Sequence, residues 1–137
     1  MLLSFVFVAV ILSSCAPTSD QRLQVTEVWA RPGLAGGNSA VFFVIENPGR
    51  EDVLVSVSSQ VADAVEMHRT SMQEGVMKMD QQMSVQIPQG KTEFKPGDLH
   101  VMLIGLTEDL VVGDTFEITL DFENGGEQTI TATTLEP

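Results

Sequence analysis

The chain of 137 residues carries a single cysteine, Cys15, two histidines and only seven basic residues against nineteen acidic ones. One cysteine excludes an intramolecular disulfide, so the fold must hold by its core alone. A formal charge of −12 repels phosphate backbones and anionic lipid surfaces, which excludes nucleic acid as a partner class. No stretch shows sustained helical periodicity, and there is no internal repeat or low-complexity tract. A serine nucleophile motif, a phosphate loop and a carboxylate dyad are also missing. Asp63 with Glu66, and Glu108 with Asp109, read as solvated surface charge, and no enzymatic activity is expected.

The one long apolar run, Leu2 to Leu12, is too short to span a bilayer as a helix and reads as the core of a secretory signal. Leu12-Ser13-Ser14-Cys15 resembles a bacterial lipobox, in which the signal is removed and the cysteine thiol is lipidated. The expected organisation is a signal peptide over 1–14, a lipidated Cys15 and polar tether over 15–22, and one domain over 23–137. The mature protein is then extracytoplasmic and touches a membrane only through its lipid. Ala16 after the cysteine favours the outer membrane by resemblance to sorted lipoproteins.

Across the domain, β-type segments alternate with turn signals such as Asn47-Pro48-Gly49, Pro88-Gln89-Gly90 and Lys95-Pro96-Gly97-Asp98. Strands are expected at Leu23–Ala30, Ala40–Glu46, Val53–Ser58, Ala62–Thr70, Val76–Met79, Met83–Ile87, Thr92–Phe94, Leu99–Gly105, Thr115–Phe122 and Gln128–Thr134. Many short strands at this spacing argue for an all-β Greek-key sandwich or barrel. Trp29 and the phenylalanines are assigned to core packing. No dimer seam is evident, and a monomer is expected.

The chemistry-bearing residues are sparse and soft: His68, Met79, His100 and Met102. Thioether and imidazole without thiolate select Cu(I) over harder divalent ions. Alternation along Leu99-His100-Val101-Met102-Leu103 gives the core Leu99, Val101 and Leu103, so His100 and Met102 share the other face. Around the first histidine, Val61, Val65 and Met67 fall on the core parity, while Glu66 and His68 fall opposite. Five of the seven methionines lie between Met67 and Met83. Met67 and Met83 are assigned to the core, Met83 because it alternates with Val85 and Ile87. Met72 and Met77 are open between packing and a place in the site.

Three segments, Val65-Glu66-Met67-His68, Gly75-Val76-Met77-Lys78-Met79 and Lys95-Pro96-Gly97-Asp98-Leu99-His100-Val101-Met102-Leu103, resemble the signature of the PCu(A)C copper chaperones. Val28-Trp29-Ala30-Arg31-Pro32, Ala40-Val41-Phe42-Phe43 and Gly113-Asp114 extend the likeness over roughly residues 24 to 134. The gap of twenty residues from Met79 to His100 is slightly shorter than in that family, a change the Pro88-Gln89-Gly90 hairpin can absorb. The resemblance implies a cupredoxin-like β-sandwich that binds one Cu(I) through His68, Met79, His100 and Met102. A single site is expected, because Leu135-Glu136-Pro137 is not the His- and Met-rich tail that gives some members a second one. The acceptor it implies is the dinuclear Cu(A) centre of cytochrome c oxidase, alongside a Sco-type thiol protein. Electron transfer is disfavoured, since a blue-copper site needs a thiolate and Cys15 is remote from the constellation. Two rivals share parts of this pattern: copper storage or resistance, and a structural envelope lipoprotein that binds no metal.

Overall fold

The computed structural model describes residues 21–137, so the signal peptide, Cys15 and most of the tether lie outside the described residues. Every regular element among the described residues is a strand: β1 Gln24–Ala30, β2 Asn38–Asn47, β3 Asp52–Ser58, β4 Ala62–Gln73, β5 Val76–Gln82, β6 Val85–Ile87, β7 Gly90–Phe94, β8 Leu99–Leu106, β9 Thr115–Phe122 and β10 Gly126–Thr134. All ten expected segments are present. They hydrogen-bond along the path β5-β4-β8-β2-β1-β10-β9-β3-β6, with β7 added to β2. Only the β1–β10 pair is parallel.

This path closes over a single core because apolar residues alternate on strands from both of its halves. Val41, Phe43 and Ile45 of β2 and Leu99, Val101 and Leu103 of β8 meet Ile118, Leu120 and Phe122 of β9 and Leu54 of β3. Each of these side chains is at most 4% exposed, as the period-2 rule requires for the inner face of a sandwich. The result is the cupredoxin-like all-β architecture expected from the sequence. Met67 is buried in the same core at 5% exposure, in agreement with its parity. Phe43, Phe94, Phe116 and Phe122 also join it. Phe42 is buried on the opposite face of β2, where its ring lies 4.6 Å from that of Trp29.

Met83 corrects the sequence reading. It is 82% exposed and lies in a bend outside β6, although Val85 and Ile87 are buried as expected. β5 and β6 occupy opposite ends of the strand path, so at Met83-Ser84 the chain leaves one end strand for the other and the alternation does not run through the link. β5 in turn extends to Gln82, three residues past its expected end.

Away from the β4–β5 end, Asp52 ties β3 to the β9–β10 turn. Its carboxylate accepts hydrogen bonds from the backbone N–H groups of Val53 (2.7 Å), Asn124 (2.9 Å) and Gly125 (2.8 Å) and from the Asn124 amide (3.2 Å). Burial alone would raise the Asp52 pKa, but these donors outweigh it and hold the pKa below the ordinary 3.8. The charged form therefore stabilises the fold fully above that ordinary value, and the contribution disappears as pH falls through the lower folded-state value. Asp52→Asn should cost about 1–3 kcal/mol at neutral pH, because an amide cannot accept from all these donors. Urea denaturation of both proteins should show the gap closing in strong acid, whereas a pH-independent gap would sink this account.

Candidate metal centre

The four candidate ligands are placed by strand register. In the antiparallel β4–β8 pair, His68 stands directly opposite His100 and Glu66 opposite Met102. Directly opposed residues point to the same face, so all four share the side away from the core. In the β4–β5 hairpin, Thr70 opposes Met79 and Met72 opposes Met77, which puts both β5 thioethers on that same face. The loop Glu74-Gly75 closes the hairpin with φ of 51° and 77°, the two positive angles of a type I′ turn that fixes this register.

β8 enters the site from the turn Lys95-Pro96-Gly97-Asp98. Pro96 pre-sets φ at the second position, Gly97 adopts φ 81°, and Asp98 N–H donates to the Lys95 carbonyl at 3.1 Å, the pattern of a type II turn. The Asp98 carbonyl then accepts from His100 Nδ1 at 2.9 Å and from the Thr70 N–H at 3.2 Å. A carbonyl can only accept, so His100 carries its proton on Nδ1 and its Nε2 holds a lone pair.

His68 is arranged in the opposite sense. Its Nε2 lies 2.7 Å from Glu66 Oε2, and a carboxylate accepts, so the proton sits on Nε2. Its Nδ1 is buried and has no hydrogen-bond partner. An unpaired buried acceptor costs about 1–3 kcal/mol and is expected only where something else satisfies it. Carboxylate on one ring nitrogen and a free lone pair on the other is the arrangement that orients histidine toward a metal ion. Glu66 is thus not the free surface charge read from the sequence. Only its i, i+2 spacing to His68 on a strand could have indicated the contact.

The imidazole centroids are 5.9 Å apart, and Phe42 lies 6.4 Å from His100 on its other side. His100 is 5% exposed, whereas Met79 is 49% exposed, so the candidate ligands grade from buried to open. An open pocket of about 420 Å³ collects Met79, His100 and Met102, with Met77, Thr70 and Arg31 also on its wall. His68 does not line this pocket; it lies beside His100, with a side chain that is 13% exposed. A larger cleft of about 1010 Å³ around Asp52 and Asn124 contains neither imidazole nor thioether. Among the described residues, no group of three or more His, Cys, Asp and Glu could hold a metal ion. Here two imidazoles stand beside two thioethers, a combination of donor types that suits a soft ion.

Known proteins bear on this geometry. The family model described as "Putative lipoprotein LpqE-like" matches residues 23–134. "Uncharacterized protein RP573" of Rickettsia prowazekii is 30% identical over 122 residues, covering 82% of this chain and 66% of its own length. "Putative lipoprotein Lxx21020" of Leifsonia xyli subsp. xyli is 30% identical over 131 residues, or 91% of this chain and 78% of that protein. Among solved structures, the copper-bound PCuAC domain from PmoF2 is similar with a TM-score of 0.71 and 26% identity, covering 85% of this chain and 94% of its own. The solution structure of CuI-DR1885 from Deinococcus radiodurans gives 0.60 and 26%, with 85% and 81% covered.

The two hydrogen bonds predict opposite tautomers. Long-range ¹H–¹⁵N NMR of the metal-free domain should show His68 as the Nε2–H form and His100 as the Nδ1–H form. Glu66→Leu should release the His68 tautomer while leaving that of His100 unchanged. An Nδ1–H tautomer for His68 in the wild type would contradict the assignment.

Proposed function

Because the chain belongs to the LpqE-like family and has the fold of PCuAC domains, we propose that it is an extracytoplasmic copper chaperone, a carrier with no catalytic turnover. In this reading it binds one Cu(I) tightly through His68, Met79, His100 and Met102 and passes the ion to a cuproenzyme. The observation that carries the reading is the facing histidine pair, each ring tied at one nitrogen and free at the other, beside two thioethers on one face. His68 Nδ1 and His100 Nε2 are the nitrogens available to the ion.

The ligand set supports a monovalent cargo. All four donors are neutral, so arrival of Cu(I) adds one positive charge to an acidic protein. Thioethers also resist the oxidation and disulfide capture that would disable a thiolate outside the cytoplasm. The copper-bound PmoF2 domain favours copper as the cargo, and CuI-DR1885 favours its monovalent state. The lipoprotein names of the family and of the Leifsonia relative support lipidation of Cys15, with residues 15–22 as tether. We assign the dinuclear Cu(A) centre of cytochrome c oxidase as acceptor, directly or together with a Sco-type protein.

Competition between the soluble domain and a Cu(I) chelator tests the site. Wild type should take up one tight equivalent, while His68→Ala and Met102→Leu should each weaken it by about tenfold or more. Met67→Leu should keep wild-type affinity, since that side chain is on the core face. Unchanged affinity in both ligand variants would refute the site. Mixing the loaded domain with a copper-free Cu(A) domain should transfer the ion; complete retention would point to storage instead.

A further inference from the structure

The methionines outside the core are not packing residues. Met72, Met77 and Met79 are 65%, 68% and 49% exposed, and all three belong to the β4–β5 hairpin. Large apolar side chains concentrated on one exposed element, next to a pocket, mark an interaction or ligand site more often than chance exposure.

Register makes this group a converging one. Met72 stands directly opposite Met77, and Met79 is one diagonal step away, opposite Thr70. Direct cross-strand neighbours have Cβ atoms about 4.5–5.5 Å apart and diagonal ones about 7–8 Å, both within reach of two flexible thioether arms. All three point to the face that carries His68 and His100, and Met77 and Met79 also line the pocket with His100 and Met102. β5 ends the strand path and pairs only with β4, so its outer side is open to an approaching molecule.

We propose that Met72, Met77 and Met79 form a second, weaker soft-metal station, an all-thioether site for Cu(I) or Ag(I) that shares Met79 with the histidine site. It extends the copper-carrier reading and rests on it. Cu(I) reaches the hairpin first and gains His100, Met102 and His68 as Met72 and Met77 let go; unloading runs in reverse. Two of these steps exchange a hairpin thioether for a ligand of the histidine site, one bond formed for one broken; the third adds a fourth bond, and the oxidation state stays +1 throughout. The sharing of Met79 joins the exposed end of the face to the buried histidines.

The test uses Ag(I), a redox-silent substitute for Cu(I), added to the domain with ¹³C-methyl-labelled methionine and followed by NMR. In wild type the first equivalent should shift the Met79 and Met102 methyls, and in His100→Ala, where the histidine site is disabled, it should shift those of Met72, Met77 and Met79. The double variant Met72→Leu/Met77→Leu replaces exposed side chains with near-isosteres. It should keep first-site affinity within about twofold but hand Cu(I) to a chelator about tenfold more slowly. If Met79 and Met102 respond in wild type while Met72 and Met77 stay silent in His100→Ala, or if the transfer rate is unchanged, the station is refuted and the histidine site stands. If Met79 and Met102 do not respond, the histidine site itself is refuted.

Discussion

The antiparallel register of β4 against β8 is the constraint on which the site depends. It sets His68 against His100 and Glu66 against Met102, and the same pairing sets Met67 against Val101 in the core. Because side chains alternate, a slip of one residue would drive His100 into the core and expose Val101 and Leu103. Burial of these residues, both fully buried, opposes that slip with several side chains' worth of apolar area. The hydrophobic pattern that builds the sandwich is therefore also what brings the two imidazoles together.

Around that pair, backbone and carboxylate acceptors settle which ring nitrogen is free. The Asp98 carbonyl, held by the Lys95–Asp98 turn, takes the proton of His100 Nδ1, and Glu66 takes that of His68 Nε2. Neither acceptor is a soft ligand, yet both decide how the soft ligands present themselves. The site is closed on its buried side, where the ring of Phe42 lies beside that of His100. It is loose on its open side, where Met79 projects from an edge hairpin. In the proposed carrier, the buried donors would choose the ion and the exposed one would help release it.

Much of this was legible in the sequence because alternation is a local signal. The ten strands, the core parity of Met67 and the off-core parity of His68, His100 and Met102 all follow from period-2 patterning. The parity of Met83 matches that of Val85 and Ile87, and no local pattern reveals that the chain passes there from one end strand of the path to the other. Glu66 was misread because a carboxylate beside a histidine looks the same in sequence whether it is solvated or bonded. Met72 and Met77 could not be sorted without knowing that β5 is an edge strand.

The sequence by itself determined the softness of the candidate ligands, the lack of a thiolate in the domain and the face on which three of the four candidates lie. Composition and alternation depend only on residue type and near neighbours along the chain. The tertiary structure decided which strands lie side by side, that Met79 reaches the same face as the histidines, and which imidazole nitrogen is left free. Those are properties of pairing between residues distant in the chain, and only the closed core fixes them.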